Sequence, residues 1–166
     1  MKKSIRIIIA AMMAAVLVFS LAACGSDDSE NTQTANPYVE YESFEEATEA
    51  AGFDITVPDA PDGYDDVSYS VMDGNMIEII WSDASGNEAY RIRKQPGSGD
   101  ISGDYNDYSE AETVGVGGKD VTVKGNDGAV YVAIWEADGY TYAIDIDMGG
   151  KGLSKDEVIS MAETIK

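Results

Sequence analysis

Oxygen-bearing side chains alternate along one glycine-rich stretch: Asp100, Ser102, Asp104 and Asn106, with Asp107 and Glu110 close behind. A hard cation such as calcium takes about six to eight oxygens, and alternating acidic residues in a loop that glycine lets turn can wrap one. Asp100, Asp104, Asn106 and Asp107 are the candidate ligands. The pattern departs from an EF-hand loop, whose sixth position here is Tyr105 rather than glycine and whose twelfth is Ala111. Tyr105 and Tyr108 stand in the same loop. An exposed tyrosine there can stack on a sugar or anchor a protein partner, whereas a covered one fills the underside of the loop. Immediately upstream lies Arg91-Ile92-Arg93-Lys94, three basic residues together in a chain of formal charge −20.

Other chemistry is limited by residue type. The chain has no histidine, and Cys24 is its one cysteine. Serine–histidine and cysteine–histidine nucleophilic catalysis, and zinc sites built on those ligands, have no residues to work with. No P-loop or dinucleotide-binding glycine motif precedes a helix, so nucleotide binding is not expected. Glycoside hydrolysis needs two carboxylates about 5–10 Å apart; Glu136, Asp145 and Asp147 are the best placed. With 31 acidic residues in the chain, chance pairs are unavoidable, and a small carboxylate-dependent cell-wall hydrolase ranks last among the readings. The expectation is a non-enzyme with no cofactor, calcium excepted.

The N-terminus dictates where this chemistry would take place. Lys2, Lys3 and Arg6 flank the start of an unbroken apolar run of 13 residues, Ile7 to Phe19, and Leu21-Ala22-Ala23-Cys24 follows. A basic start, a short apolar run and small residues before a cut form a secretory signal peptide, residues 1–23. The run is shorter than the ~20 residues that span a bilayer. The Leu-Ala-Ala-Cys ending resembles the lipobox of bacterial lipoproteins. That likeness implies cleavage before Cys24, diacylation of its sulfur with palmitate-type chains, and stable anchoring at the outer face of the cytoplasmic membrane. Cleavage removes three bases and leaves eight against 31 acids, a side-chain charge of −23. Such a surface repels nucleic acid and anionic headgroups and attracts cations.

Residues 24–36 comprise the lipidated cysteine and an acidic tether, Gly25-Ser-Asp-Asp-Ser-Glu-Asn-Thr-Gln-Thr-Ala-Asn36, with no large apolar side chain to offset the entropy of ordering. Residues 37–166 suit a single domain. Ser43-Phe44-Glu45-Glu46 and Ser154-Lys155-Asp156-Glu157 are capping boxes that open two helices, with Gly52 stopping the first. Val158, Met161, Ala162 and Ile165 fall on one face of the second.

Between the helices the period is that of strands, punctuated by turn residues. Asp138-Gly139 closes a hairpin that pairs Trp135 with Tyr142, Ala133 with Ile144 and Tyr131 with Ile146, and on its other face Val130 with Asp147. A three-residue loop, Asp73 to Asn75, pairs Val71 with Ile77 and Tyr69 with Ile79. A loop at Ala84 to Asn87 pairs Trp81 with Tyr90 and sets Arg93 opposite Glu78, an ion pair worth roughly 0.2–1 kcal/mol. Thr113–Val116 and Lys119–Lys124 add two strands, and Ile55–Pro58 a short edge strand. The sum is an α+β domain: one antiparallel meander of about seven strands, with an N-terminal and a C-terminal helix on its aromatic face. Residues 97–108 are longer than a hairpin needs.

A family likeness rests on Asn36-Pro37-Tyr38-Val39, Ala51-Gly52-Phe53 with Val57-Pro58, Arg93-Lys94, Gly99 to Asn106, Val123 to Gly128 and Ala133-Ile134-Trp135. Together these resemble extracytoplasmic bacterial domains grouped only as a domain of unknown function, found in lipoproteins of Firmicutes-type Gram-positive bacteria and at the outer end of some anti-sigma factors. The resemblance brings no catalytic residues and implies a sensing or interaction role. The expectation is therefore a lipid-anchored, non-catalytic interaction domain with an envelope protein or a cation as partner; a calcium-binding surface module built on residues 97–108 is the alternative.

Overall fold

Turn chemistry folds most of the chain into antiparallel hairpins. Asp138 and Gly139 both take positive φ, 52° and 82°, as a two-residue turn between right-twisted strands demands. The computed structural model describes residues 36–166. The expected signal peptide, Cys24 and all of the expected tether but Asn36 lie outside the described residues.

The strands are β1 (Tyr38–Tyr41), β2 (Asp66–Met72), β3 (Met76–Ser82), β4 (Glu88–Pro96), β5 (Glu110–Val116), β6 (Lys119–Asn126), β7 (Ala129–Ala137), β8 (Tyr140–Ile146) and the two-residue β9 (Leu153–Ser154). Helix α1 (Phe44–Ala51) follows β1, and α2 (Lys155–Thr164) ends the fold. All strands are joined in one nine-stranded sheet of order β1-β2-β3-β4-β8-β7-β6-β5, with β9 paired to β7. The architecture is α+β, as expected, but the strands outnumber the expected seven and do not form a single meander. Two four-strand meanders meet side by side where β4 pairs with β8. Among the described residues no helix is long and apolar enough to cross a membrane.

The register follows core matching. Val71↔Ile77, Tyr69↔Ile79, Trp81↔Tyr90, Glu78↔Arg93 and Trp135↔Tyr142 all form. Three expectations are corrected. Tyr38–Tyr41, where no strand is expected, is a strand that pairs Val39 with Val71. Ile55–Pro58 is not a strand; its proline has no N–H to give a ladder, and Ile55 is buried in the core instead. The pairs Tyr131–Ile146 and Val130–Asp147 do not form, because β7 bulges at Tyr131, where Lys124↔Val132 is followed by Gly125↔Val130. The bulge serves a tight turn in which Gly125 approaches so closely that a Cβ on it would overlap the Ala129 carbonyl oxygen.

One face of the sheet carries the core. Ile77, Ile79, Trp81, Ile92, Val121, Trp135 and Ile144 pack there with Ala47 and Ala51 of α1 and Val158, Ala162 and Ile165 of α2 and its cap. Ser43 Oγ accepts the Glu46 N–H at 3.2 Å, and Gly52 at φ 79° ends α1. Ser154 and Glu157 complete a reciprocal capping box on α2. No base lies in the last turn of α2, and Lys119 Nζ arrives from β6 to donate to the carbonyls of Ala162 (2.5 Å) and Ile165 (3.3 Å). Tyr90 donates its hydroxyl to the Asp59 carbonyl at 3.0 Å and so fastens the proline-rich turn to the sheet.

Two outcomes follow from this packing. Gly125→Ala should lower stability by about 1–3 kcal/mol or more, read as an earlier urea midpoint with an unchanged slope. Burial, and then the nearby charge of Asp59, pushes the Tyr90 hydroxyl up to about 12, above its unfolded value of roughly 10. Its contribution is complete below the unfolded value and is lost as pH rises through the folded one, since the unfolded state ionises first. Tyr90→Phe should therefore make the stability loss between about pH 10 and 12 shallower.

Candidate functional site

Past Pro96 the chain must reach β5 at the far edge of the sheet, and residues 97–109 cross the face that the helices leave open. The crossing can be followed strand by strand. Gly97 O accepts from Thr141 of β8 (2.9 Å), Gly99 N–H donates to Glu136 of β7 (3.1 Å), and Asp100 pairs with Lys124 of β6 (3.0 Å). Tyr108 stacks on Tyr131, the bulged residue of β7, with ring centroids 5.9 Å apart. Under this strap Thr141, Ala143 and Val132 are buried, as is Ser102 of the strap itself.

Arg93 latches the strap. Its guanidinium donates through Nε to Glu78 at 2.7 Å, through Nη1 to the carbonyls of Ser102 and Ile101, and through Nη2 to the Tyr38 hydroxyl at 3.4 Å. Gly103 lies so near that a Cβ there would press against Nη1. Arg93 and Glu78 are each only 6% exposed. The predicted Arg93–Glu78 pairing is right in register, but its setting is a buried one, where losing one partner strands a charge. The other two bases also have structural posts. Arg91 Nη2 bonds Glu88 at 2.8 and 2.9 Å. Lys94 is buried on the helix side, where it donates to the Asp54 carbonyl at 2.6 Å and sits 4.4 Å above the Tyr140 ring; burial, opposed by the charges of Asp54 and Asp138, holds it below the usual lysine range.

The candidate calcium ligands do not converge. Asp100 accepts from Ser102 N (3.0 Å), Ser102 Oγ (2.6 Å) and Lys124 Nζ. Asp104 accepts from Asn106 N (2.7 Å), Asn106 Nδ2 (3.1 Å) and the Tyr108 hydroxyl (2.7 Å). These are turns closing on themselves. Among the described residues no three histidine, cysteine, aspartate or glutamate side chains come together as a metal site. The two tyrosines divide: Tyr108 is partly covered, and Tyr105 is 96% exposed. The candidate hydrolytic acids also separate. Glu136 pairs with Thr141, four residues along β8 from Asp145, or about 13 Å at strand rise. Asp147 accepts the Gly150 N–H in a turn. Burial, with a contribution from Asp104 and against Arg91, raises the Asp145 carboxyl above its usual range.

A large concave feature of the described residues lies elsewhere. The β6–β7 ladder stops at Val121↔Trp135, although β6 begins at Lys119 and β7 runs on to Ala137. The next pair would set Asp120 against Glu136, and like charges directly opposite one another disfavour pairing. The strands part, and a cleft of about 1040 Å³ opens between the strap at Gly99, the Gly117-Gly118 turn and the end of α2 at Glu163, Ile165 and Lys166. Four acids line it: Asp120, Glu136, Asp138 and Glu163. Of the two lysines there, Lys119 is committed to the end of α2. Trp135 also lines the cleft. It stacks on Tyr142 with rings 3° from parallel and 5.2 Å apart, and Lys119 Nζ lies 4.9 Å from its ring. Its indole N–H is buried and, among the described residues, meets no acceptor. Sequence reasoning named Glu136 only as a hydrolytic acid and did not reach Asp120, because the β6–β7 register depends on the bulge at Tyr131.

The family model of the Domain of unknown function (DUF4367) matches residues 54–165, from just after α1 to the end of α2. No curated protein and no solved structure matches the chain.

The latch predicts a specific pattern of stabilities. Arg93→Ala should cost about 3–5 kcal/mol, and the double change Arg93→Met with Glu78→Leu much less, because it leaves no buried charge alone. Denaturant midpoints of the two variants decide this. A heat melt of the full chain should have the same midpoint in millimolar calcium as in chelator, since a ligand that binds the folded state must raise it.

Proposed function

Since the chain belongs to the family of the Domain of unknown function (DUF4367), we propose its role from its own surface: a non-catalytic binding module whose ligand enters the cleft where β6 and β7 part. In this reading the lipobox-like ending at Cys24 makes the protein a lipoprotein of the Gram-positive type, held by its lipid at the outer face of the cytoplasmic membrane. The tether then carries the domain clear of the bilayer toward an envelope partner.

The observation that carries the reading is the state of Trp135. Buried polar groups in folded proteins find partners in the great majority of cases, and leaving one unpaired costs about 1–3 kcal/mol. Among the described residues, the Trp135 donor has no partner, and Trp135 is one of the residues that line a large concavity with charged groups around it. A concave site with an aromatic wall and a few converging polar groups is the usual form of a ligand site. Arg93, Lys94 and Lys119, by contrast, are occupied in holding strap, turn and helix in place, so these bases have structural work.

Photo-cross-linking in intact cells tests the proposal. A benzophenone amino acid at Thr122, in the cleft, should trap a discrete envelope partner, and the same group at Ser85, on the remote β3–β4 loop, should not. Equal yields of bulk neighbours from both positions would refute it. Cys24→Ala should abolish labelling by radioactive palmitate and release the protein from the membrane fraction.

A further inference from the structure

A second surface, which does not depend on the cleft, lies where the sheet ends. We infer that the free edge of β5 takes an added strand: an extended segment of a partner protein, antiparallel to β5, with lysine or arginine at the alternate positions that face Glu110 and Glu112.

Three observations combine. First, β5 closes the sheet on one side: it pairs with β6 and, among the described residues, with no other strand. Its ladder with β6 runs in unbroken register from Glu110↔Gly125 to Val116↔Lys119, so alternate residues turn their N–H and C=O groups outward. Second, this edge lacks the usual guards. Sheets blunt an edge with a short strand, a proline, a lysine or a bulge. β5 is seven residues long and has none of these, whereas β1 at the opposite edge has four residues. Third, its two faces favour one kind of partner. Ala111, Thr113 and Gly115 make one face small. Glu112↔Val123 and Val114↔Val121 turn the other face toward the helices, and Glu110 and Glu112 stand there with no base in the strand. Both line a hollow of about 420 Å³ with an apolar floor at Val123, Ala129 and Val130. A base on an added strand would fall opposite these acids, where unlike charges favour pairing, and its aliphatic stem would lie over that floor. Glu112 is bonded to Lys155 at 2.8 Å, and both side chains are exposed; such a pair contributes little and yields to an incoming base. Glu110 uses Oε2 to accept from the Gly128 N–H at 3.1 Å. A second copy has the wrong sign, because a formal charge of −20 sets two chains against one another. A polyamine has the charge but no backbone for the ladder. A basic strand has both, with main-chain bonds for affinity and side chains for specificity.

The test uses the full chain in detergent micelles, at about 0.15 M salt to suppress diffuse attraction, and two peptides that match β5 in length. One alternates lysine with valine. The other alternates lysine with proline, which keeps the charge but cannot complete a ladder. Calorimetric titration should show one-to-one binding of the lysine–valine peptide and binding of the lysine–proline peptide weaker by about tenfold or more, equivalent to roughly 1.4 kcal/mol. Amide hydrogen exchange should slow in Glu110–Val116 when the first peptide binds, and not in β1. Glu110→Gln with Glu112→Gln should weaken that peptide by about tenfold; the amide that Glu110→Gln introduces still has a carbonyl oxygen for the Gly128 N–H. Asp65→Asn with Asp66→Asn, an exposed pair on the other half of the sheet, should leave binding within about twofold, since only diffuse charge is lost. Equal binding of the two peptides, equal losses in the two variants, or protection that misses Glu110–Val116 would overturn the inference. So would the absence of binding at millimolar peptide by a chain that still melts cooperatively.

Discussion

The buried ion pair of Arg93 and Glu78, inside the first meander, fixes the guanidinium that grips the strap leading to the second. Both side chains are shielded from water, and neither could stay so alone, since an unpaired buried charge is among the costliest defects a small domain can carry. What makes the pair structural rather than merely tolerated is the rest of the guanidinium. With one edge committed to Glu78, Arg93 turns the other to two strap carbonyls that would otherwise be buried over a β-face. The fork geometry of arginine allows this division, and the point charge of lysine does not.

The strap is itself a consequence of sheet order. Because β4 lies against β8, the segment after β4 must pass over three strands before β5 can begin. A loop in that position carries its own polar backbone across a sheet, and each group needs a partner. Arg93, Thr141, Glu136 and Asn126 supply those partners. Asp100 and Asp104 satisfy other groups within the strap by folding side chain onto backbone. The alternation of acids that suggests a cation site is thus put to local turn formation.

The hairpins were legible in the amino-acid sequence for a simple reason: a one-residue slip sends Trp135 or Trp81 to the wrong face, so matching apolar residues fixes register. Both helix starts were legible because Ser43 and Ser154 each cap from the expected position, although only Ser154 forms the reciprocal box and Glu46 accepts from the Glu42 N–H instead. What was hidden is non-local. Tyr38–Tyr41 looks like a lead-in because its partner β2 comes only after α1 and the proline-rich turn. The pairing of β4 with β8 joins residues that no turn connects, and so the burial of Arg93 could not be read from its hairpin alone. Asp120 and Glu136 belong to a ladder interrupted by a bulge, which alternation by itself does not locate.

The seam between β4 and β8 has a kinetic consequence. Within each meander every strand but β1 meets the next across a turn or short loop, but the seam joins residues 44 to 56 positions apart, from Pro96↔Tyr140 to Tyr90↔Ile146. Closing such a loop costs chain entropy before its contacts return anything. Of the pairings in the sheet, the seam therefore carries the largest closure cost. Until it closes, β4 and β8 are both open edges with apolar faces, the form of strand most prone to pair with another chain. The strap bonds both of those strands, at Arg93 of β4 and at Thr141 of β8, and so ties the seam once it has closed.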